Sequence, residues 1–486
     1  MELELAANAE TIASVSRLKA LTGCREGRPR IQTVKIVWHD SPERALLAGG
    51  LTLAEQRGVR RLERVFPGAA TWLPAQPAPV VDAMPDPATL PSPLAPLAAF
   101  DGRQTISIHR IGGEPVVMTV AKGVLRSVTT EQPVARIWLS GEEQAVRTVA
   151  LLLAGADLVT VPITSLAADG IALATGKPAI ARHEGAPVLP TEPPLGVADA
   201  LTHILGHLID VILANAPAAV RLNGNGTEAV HQMRVAVRRA RSALSIFRDA
   251  VPEGALDAVN ESLKTLGSRL GPTRDWDVFA EETAPAIQNA VAQDERLERL
   301  IVAVSRRRRD CQKALAAYLD SSLFRVLGIE LAWFVAAQFW RVAPEAVDEA
   351  NARPELPDFA AQVLQHRWKK LMSLGKRIEE LDVSSLHGVR LKAKRARYAA
   401  EMFSALYHGK ASHRFVRRLS ALQQHLGVLN DGAVAYHLLQ ELGGPAGRHA
   451  YATGIVIGFL AARAQTIRPG IVNAFDRFRR QPAYWT

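Results

Sequence analysis

Residues 231–247 and 387–403 read HQMRVAVRRARSALSIF and HGVRLKAKRARYAAEMF, each a histidine with cations three, seven and ten positions further on. At about 100° per residue, Arg234, Arg238 and Arg241 lie beside His231 within a helical arc of about 80°, and Arg390, Lys394 and Arg397 do the same beside His387. Met233, Val237, Ala240, Leu244 and Phe247 take a separate, apolar face that a core would cover. Guanidinium groups form bidentate, charge-assisted hydrogen bonds to phosphate oxygens, and imidazole charges near neutral pH. Like charges on one face also repel, so a polyanion would stabilise each helix. A single stripe reads better as a solvated face paired with carboxylates of neighbouring helices; two at matched positions reverse that preference and point to a ligand.

The match is a duplication. At an offset of 156, seven of 17 positions are identical: His231/His387, Arg234/Arg390, Arg239/Arg395, Ala240/Ala396, Arg241/Arg397, Ala243/Ala399 and Phe247/Phe403. The same offset aligns residues 266–278 with 422–434 through Leu266, Leu270, Gly271, Asp275 and Val278. Register kept across two separate helices defines a tandem repeat of one helical unit, and two copies suggest a pseudo-two-fold arrangement.

The pattern HxxRVxxRRxR then LxxxLGxxRDxDV, followed by HxxRxxxKRxRY and LQxxLGxxND, resembles the CHAD family, the conserved histidine α-helical domain, over about residues 197–480. The resemblance implies two pseudo-two-fold-related four-helix bundles whose basic residues line a shared groove that binds inorganic polyphosphate, and it implies association with polyphosphate granules in the cytoplasm. Position by position it carries binding roles to His231, Arg234, Arg238, Arg241, His387, Arg390, Lys394 and Arg397. Lys264 joins them, although its repeat partner is Ser420. Arg274 and Asp275 are read at a helix start, where Asp275, like Asp431, caps the helix or orients an arginine. CHAD domains often follow a CYTH domain, the triphosphate tunnel fold, and residues 1–184 resemble a degenerate one. Glu2 and Glu4 remain of ExExK, but Ala6 replaces its lysine, the carboxylates before the LxSG turn are lost in Ala135-Arg-Ile-Trp-Leu, and Leu166 follows Ser165 where a lysine is usual. Metal-assisted triphosphate hydrolysis needs those charges. The expectation is therefore no catalysis, no metal and no cofactor.

These residues must be positioned by a chain whose halves differ. Residues 1–200 carry 19 Lys and Arg against 20 Asp and Glu, and the remaining 39 basic and 28 acidic residues hold all of the chain's +10 excess. At 486 residues and 48% hydrophobic composition, several domain-sized units are expected, and disorder or a coiled-coil rod is excluded. Proline-rich residues 66–97 should form a long loop, and 185–196 a linker between an α+β domain (1–184) and an all-α domain (197–486) with halves of about 197–345 and 356–480. Residues 105–111, 115–120 and 135–139 read as strands, with turns at Gly112-Gly113 and Lys122-Gly123, and residues 142–154 as a helix begun by Ser140-Gly-Glu-Glu.

Cys24 and Cys311 have no CxxC partner, no apolar leader follows the acidic start, and no 18 apolar residues run uninterrupted, so an intracellular chain without a membrane span is expected. The Arg306–Arg309 run, the His203/His207 pair and the scattered tryptophans Trp276, Trp333, Trp340 and Trp368 read as solvated face, packing and core. Competing readings are a residual metal-dependent triphosphatase in the N-terminal domain and general nucleic-acid binding by the basic half; sequence-specific nucleic-acid recognition is not expected, and other polyanions remain candidates beside polyphosphate.

Overall fold

Alternating burial builds the N-terminal domain. In β1 (Glu2–Ala7) Leu3 and Leu5 are buried on one face, alternating with Glu4 on the other, and in β8 (Glu131–Gly141) Ile137 and Leu139 follow the same period of two. With β2 (Arg25–Asp40), β3 (Leu51–Gln56), β4 (Val59–Arg64), β5 (Val80–Asp82), β6 (Ala95–Ile111), β7 (Glu114–Arg126) and β9 (Val159–Thr160), they form a nine-stranded antiparallel sheet in the order β5-β4-β3-β2-β6-β7-β8-β1-β9. This arrangement is consistent with the CYTH-like resemblance. The computed structural model describes residues 2–65, 80–178, 184–221, 226–291, 293–338, 340–341, 354–407 and 409–485. It divides into two compact units, one of Met1–Glu184 with Ile209–Ala214 and Tyr318–Gln338, the other of Gly185–Leu208, Asn215–Ala317 and Phe339–Thr486.

The three expected strands lie in β6, β7 and β8, and Gly112-Gly113 turns the chain with φ of 61° and 93°. Three local expectations are corrected. Lys122-Gly123 is no turn: Gly123 stands inside β7, paired with Gly102 of β6. A Cβ on either glycine would come within 2.7–2.8 Å of the other's Cα, and the Phe100 ring covers both, so glycine serves close strand approach here. The proline-rich stretch is not all loop. Residues 66–79 lie outside the described residues, but β5 follows them, and Pro96 stands within β6 opposite His39, at a register shift where a missing N–H is tolerated. Ser140 belongs to β8, and the helix cap is Glu142, whose carboxylate accepts the Ala145 N–H at 2.9 Å.

Among the described residues, α1 (Lys19–Thr22), α2 (Ala45–Ala48), α3 (Glu143–Gly155) and α4 (Leu166–Thr175) accompany the sheet within residues 1–184. Among the described residues the rest of the chain is helical: α5 (Val197–Val220), α6 (Gly226–Phe247), α7 (Asp257–Val278), α8 (Ala284–Ala290), α9 (Glu295–Leu319), α10 (Ser322–Ala337), α11 (Leu356–Leu374), α12 (Val383–Met402), α13 (Lys410–Glu441) and α14 (Ala450–Arg479). Helix α10 belongs to the sheet's unit, where Arg147 of α3 pairs with Glu330 at 2.6 Å and lies over the Trp333 ring.

In the helical unit the duplicated residues Phe247 and Phe403 touch, with ring centroids 6.2 Å apart, and Phe359 packs on both. Equivalent residues of two copies can meet only near the axis relating them, so α6 and α12 run side by side at the pseudo-two-fold. A second core joins Trp276, Phe279, Ile287 and Leu300 of the first copy to Leu438, Leu439, Val456 and Leu460 of the second. The copies are thus held by shared apolar packing. Two helices, Val197–Val220 and Ala450–Arg479, are long and apolar enough to cross a bilayer by length and composition. The first lies mostly buried; the second is mostly exposed along its apolar window, with Ala452, Val456 and Leu460 in the shared core.

Gly123→Ala should destabilise the sheet unit by about 1–3 kcal/mol, because an added methyl must push two paired strands apart. Gly155→Ala, whose Cβ meets nothing within 4 Å, should be near neutral. Urea midpoints of the two variants test the contrast, and equal midpoints would contradict it.

Candidate functional site

The apolar face of α6, with Met233, Ala240 and Phe247 fully buried, fixes the rotation of that helix. Val389, Ala393, Ala396 and Phe403 do the same for α12. The two basic stripes are thereby turned toward one seam. Arg234 crosses to α7, where Gly271 leaves room for its guanidinium, and pairs with Asp275 at 3.2 Å. Asp275 is not at a helix start: α7 continues through Gly271-Pro272 to Val278, so the helix supplies the backbone partners and the carboxylate is left to orient Arg234. Asp431, equally inside α13, stands close enough to Arg390 to favour its cation. The carboxylate–arginine arrangement is therefore repeated at the offset of the duplication. Burial raises both aspartates above their ordinary range, against the pull of the neighbouring arginines.

Between these clamps the cations of both copies meet. Arg238 is largely buried, with its guanidinium 5.7 Å from the centre of the Tyr398 ring. Burial lowers its affinity for the proton, and Arg234 and Arg397 add repulsion. Arg397 lies 5.5 Å from the same ring and 3.5 Å from Glu401, which also accepts Arg239 from α6 at 3.3 Å. Lys394 is the most perturbed. Burial, then Arg238, Arg390, Arg234 and Arg397, push its ammonium down to about 7. His231 is also lowered, by burial first and then by Arg274, while Glu228 opposes.

The structure thus brings together His231, Arg234, Arg238, Arg390, Lys394 and Arg397. Arg241 is exposed at the end of the stripe, donating to Asn260 at 3.3 Å. Lys264 is exposed one turn beyond Asn260 on α7 and pairs with Glu261 of its own helix at 3.2 Å, outside the close cluster. His387 is exposed on the first turns of α12. A basin of about 340 Å³ opens beside the cluster, lined by Arg238, Arg241, Lys394, Arg395 and Tyr398.

Sequence reasoning missed Tyr398 and Glu401. Their repeat partners are Ser242 and Ser245, so the duplication that exposed the stripes gave no signal for either. Arg239, about 80° from His231 and off the stripe, faces Glu401. Of the other candidates, Arg307 pairs with Glu441 at 3.0 Å and Arg308 with the fully buried Asp277 at 2.6 Å and with Glu281, a scaffold role. His203 and His207 bond the carbonyls of Val188 and Gly185. Among the described residues no cluster of three or more His, Cys, Asp or Glu could hold a metal.

An all-helical domain of two copies, with cations from both at the seam between them, is the class that this fold and site define. Residues 203–440 match the CHAD domain family. Among solved structures, the CHAD domain from the plant Ricinus communis is 31% identical, covers 61% of this chain and 96% of that one, and superposes with a TM-score of 0.52. PptA from Streptomyces chartreusis is 17% identical, with coverage of 58% and 100% and a TM-score of 0.43. No curated protein matches the chain. The chain belongs to the CHAD family.

Without a ligand the seam should destabilise the fold, and Lys394→Met should show it. The folded-state pKa of about 7 lies below the unfolded value near 10, so the unfolded chain binds the proton more tightly between them and stability rises with pH there. The stabilisation gained by Lys394→Met should be largest at pH 6 and shrink toward pH 10. Denaturant midpoints across that range measure it, and a pH-independent gain would remove Lys394 from the repelling cluster.

Proposed function

We propose that the helical unit binds inorganic polyphosphate along the α6–α12 seam and that it does so without turning the polymer over. The observation that carries this reading is the convergence of Arg234 and Arg238 with Arg390, Lys394 and Arg397 at one seam, where burial and then these four arginines push the Lys394 ammonium down to about 7. Such a cluster stores repulsion that a linear polyanion relieves. A polyphosphate chain presents about one charge per phosphorus, and guanidinium groups track it by bidentate hydrogen bonds without reading a sequence. The carboxylates at the seam support the reading because each holds an arginine in place: Asp275 for Arg234, and Glu401 for Arg239 and Arg397. Tyr398 is buried under guanidinium groups, which leaves no ring there for a base to stack on and favours polyphosphate over single-stranded nucleic acid. Location in the cytoplasm, on polyphosphate granules, follows as part of the same proposal.

For the sheet unit we propose no triphosphatase activity. Glu4, which with Glu2 survives of the tunnel-enzyme pattern, is buried and taken by Arg136 at 3.0 Å, and the same arginine binds Asp169. Burial holds both carboxyls above their ordinary range, the reverse of what a divalent-metal ligand needs. Release of phosphate from tripolyphosphate with Mg²⁺ or Mn²⁺ would refute this.

Titrating the full chain with long-chain polyphosphate should give binding that weakens steeply with salt and that single-stranded DNA of equal phosphate content displaces poorly. An Arg234→Ala/Arg390→Ala variant should lose at least about 100-fold in affinity, two charge-assisted contacts being worth about 3 kcal/mol or more together. Equal displacement by DNA would reduce the seam to a generic basic surface.

The pH dependence should come from Lys394. A bound polyanion holds its proton, so raising the pH from 6 to 8 through a free-state value of about 7 should weaken binding about tenfold. Lys394→Arg, charged throughout, should flatten that profile. A profile unchanged in Lys394→Arg but flattened in His231→Ala would assign the effect to the imidazole.

A further inference from the structure

We propose that the cavity bounded by α11, α12 and the turn after α6 is a second polyanion subsite, continuous with the seam, that takes the onward part of a long polyphosphate chain. This rests on the polyphosphate reading of the seam. The cavity measures about 1160 Å³, several times the basin beside Lys394, and its cations are Arg248, His366, Arg367, Lys370, Lys392 and Arg395. None of these is a residue of the two stripes. Lys392 and Arg395 alternate with Arg390, Lys394 and Arg397 along α12, so that one helix presents cations to both spaces. The two spaces share Ser245, Arg248, Arg367 and Arg395 as lining, which makes one basic path of them.

Two observations argue against an ordinary solvated face. Burial, and then crowding by Arg395, Lys370 and Arg367, lower the affinity of Lys392 for the proton. Arg367 itself is pushed down to about 10 by burial and by Arg395, while it donates to the Arg395 carbonyl at 3.2 Å. Asp249 is the acid on the wall, and Arg248 pairs outward with Asp257 at 3.6 Å. Second, the cluster breaks the duplication. At the offset of 156, Lys392 corresponds to Ala236, whereas Arg395 corresponds to Arg239. The first copy is thus built without a cation at the Lys392 position, so the helical repeat does not require one there. A path that leaves the pseudo-two-fold seam on one side only would give the bound polymer a direction and make affinity depend on its length.

The test compares tripolyphosphate with long-chain polyphosphate on the full chain, as wild type, Lys370→Gln/Lys392→Gln and Arg234→Ala/Arg390→Ala, each across a salt series. Lys370→Glu alone, at an exposed position, provides a variant whose folding is not at issue. The expected result is that Lys370→Gln/Lys392→Gln and Lys370→Glu lose roughly tenfold or more for the long polymer, with a shallower salt slope by about one to two, and keep wild-type affinity for tripolyphosphate. Unchanged long-chain affinity and slope in both, alongside loss in Arg234→Ala/Arg390→Ala, would overturn the subsite and leave the seam reading standing. Equal losses for both ligands in the lysine variants would overturn the claim that the cavity extends the seam. Failure of the wild type to bind either ligand would bring down the seam reading and the subsite with it.

Discussion

The contact of Phe247 with Phe403 is the constraint from which the site follows. Each ring sits at the last turn of a helix whose stripe begins four turns earlier, so bringing the rings together brings the stripes together. Apolar burial is non-directional and large enough to hold two cationic helix faces against their own repulsion. The shared core of Trp276, Phe279 and Leu300 with Leu438 and Val456 closes the other end of the same arrangement. Electrostatics alone would part the copies, and the packing prevents it.

Duplication supplies a symmetric frame, and the departures from symmetry give the site its character. Arg238 faces Lys394 where strict repetition would put two arginines together, and only the lysine can give up its charge near neutral pH. Tyr398 replaces the Ser242 type in one copy and receives the guanidinium groups of Arg238 and Arg397 on its ring, so a single aromatic organises cations from both copies. The symmetric part is a carboxylate near an arginine in each copy, an ion pair for Arg234–Asp275 and a favourable charge for Asp431 near Arg390.

Periodicity and repetition made the stripes and the helical half legible, because both depend only on spacing along one helix. The resting charge of the site was not legible. Imidazole is the side chain expected to charge near neutral pH, yet burial and Arg274 hold His231 low, and it is Lys394 that burial, and then arginines of both copies, bring to about 7. That is a property of distance between helices 156 residues apart, which spacing along a chain does not encode. The same limit explains Gly123, where a glycine read as a turn is a close approach between strands, and Asp275, where Gly271-Pro272 hides a helix that runs on. In the N-terminal half the missing lysine at Ala6 was visible, but its counterpart was not: Arg136, read as a lost carboxylate, pairs with Glu4, one of the two that remained.

A site of this kind couples binding to stability. The ligand-free seam carries a cost in repulsion and in buried charge that the apolar cores must offset, and a polyanion that binds only the folded state stabilises it by an amount that grows with ligand concentration over the dissociation constant. Because Lys394 is partly neutral before binding and charged after it, binding also takes up a proton, and the two linkages act in the same direction as pH falls. Acidification lowers the stability of the empty seam and raises its affinity for the polymer. The protonated, empty state is therefore the least favourable one the protein can occupy, and occupancy of the seam is the change that relieves it.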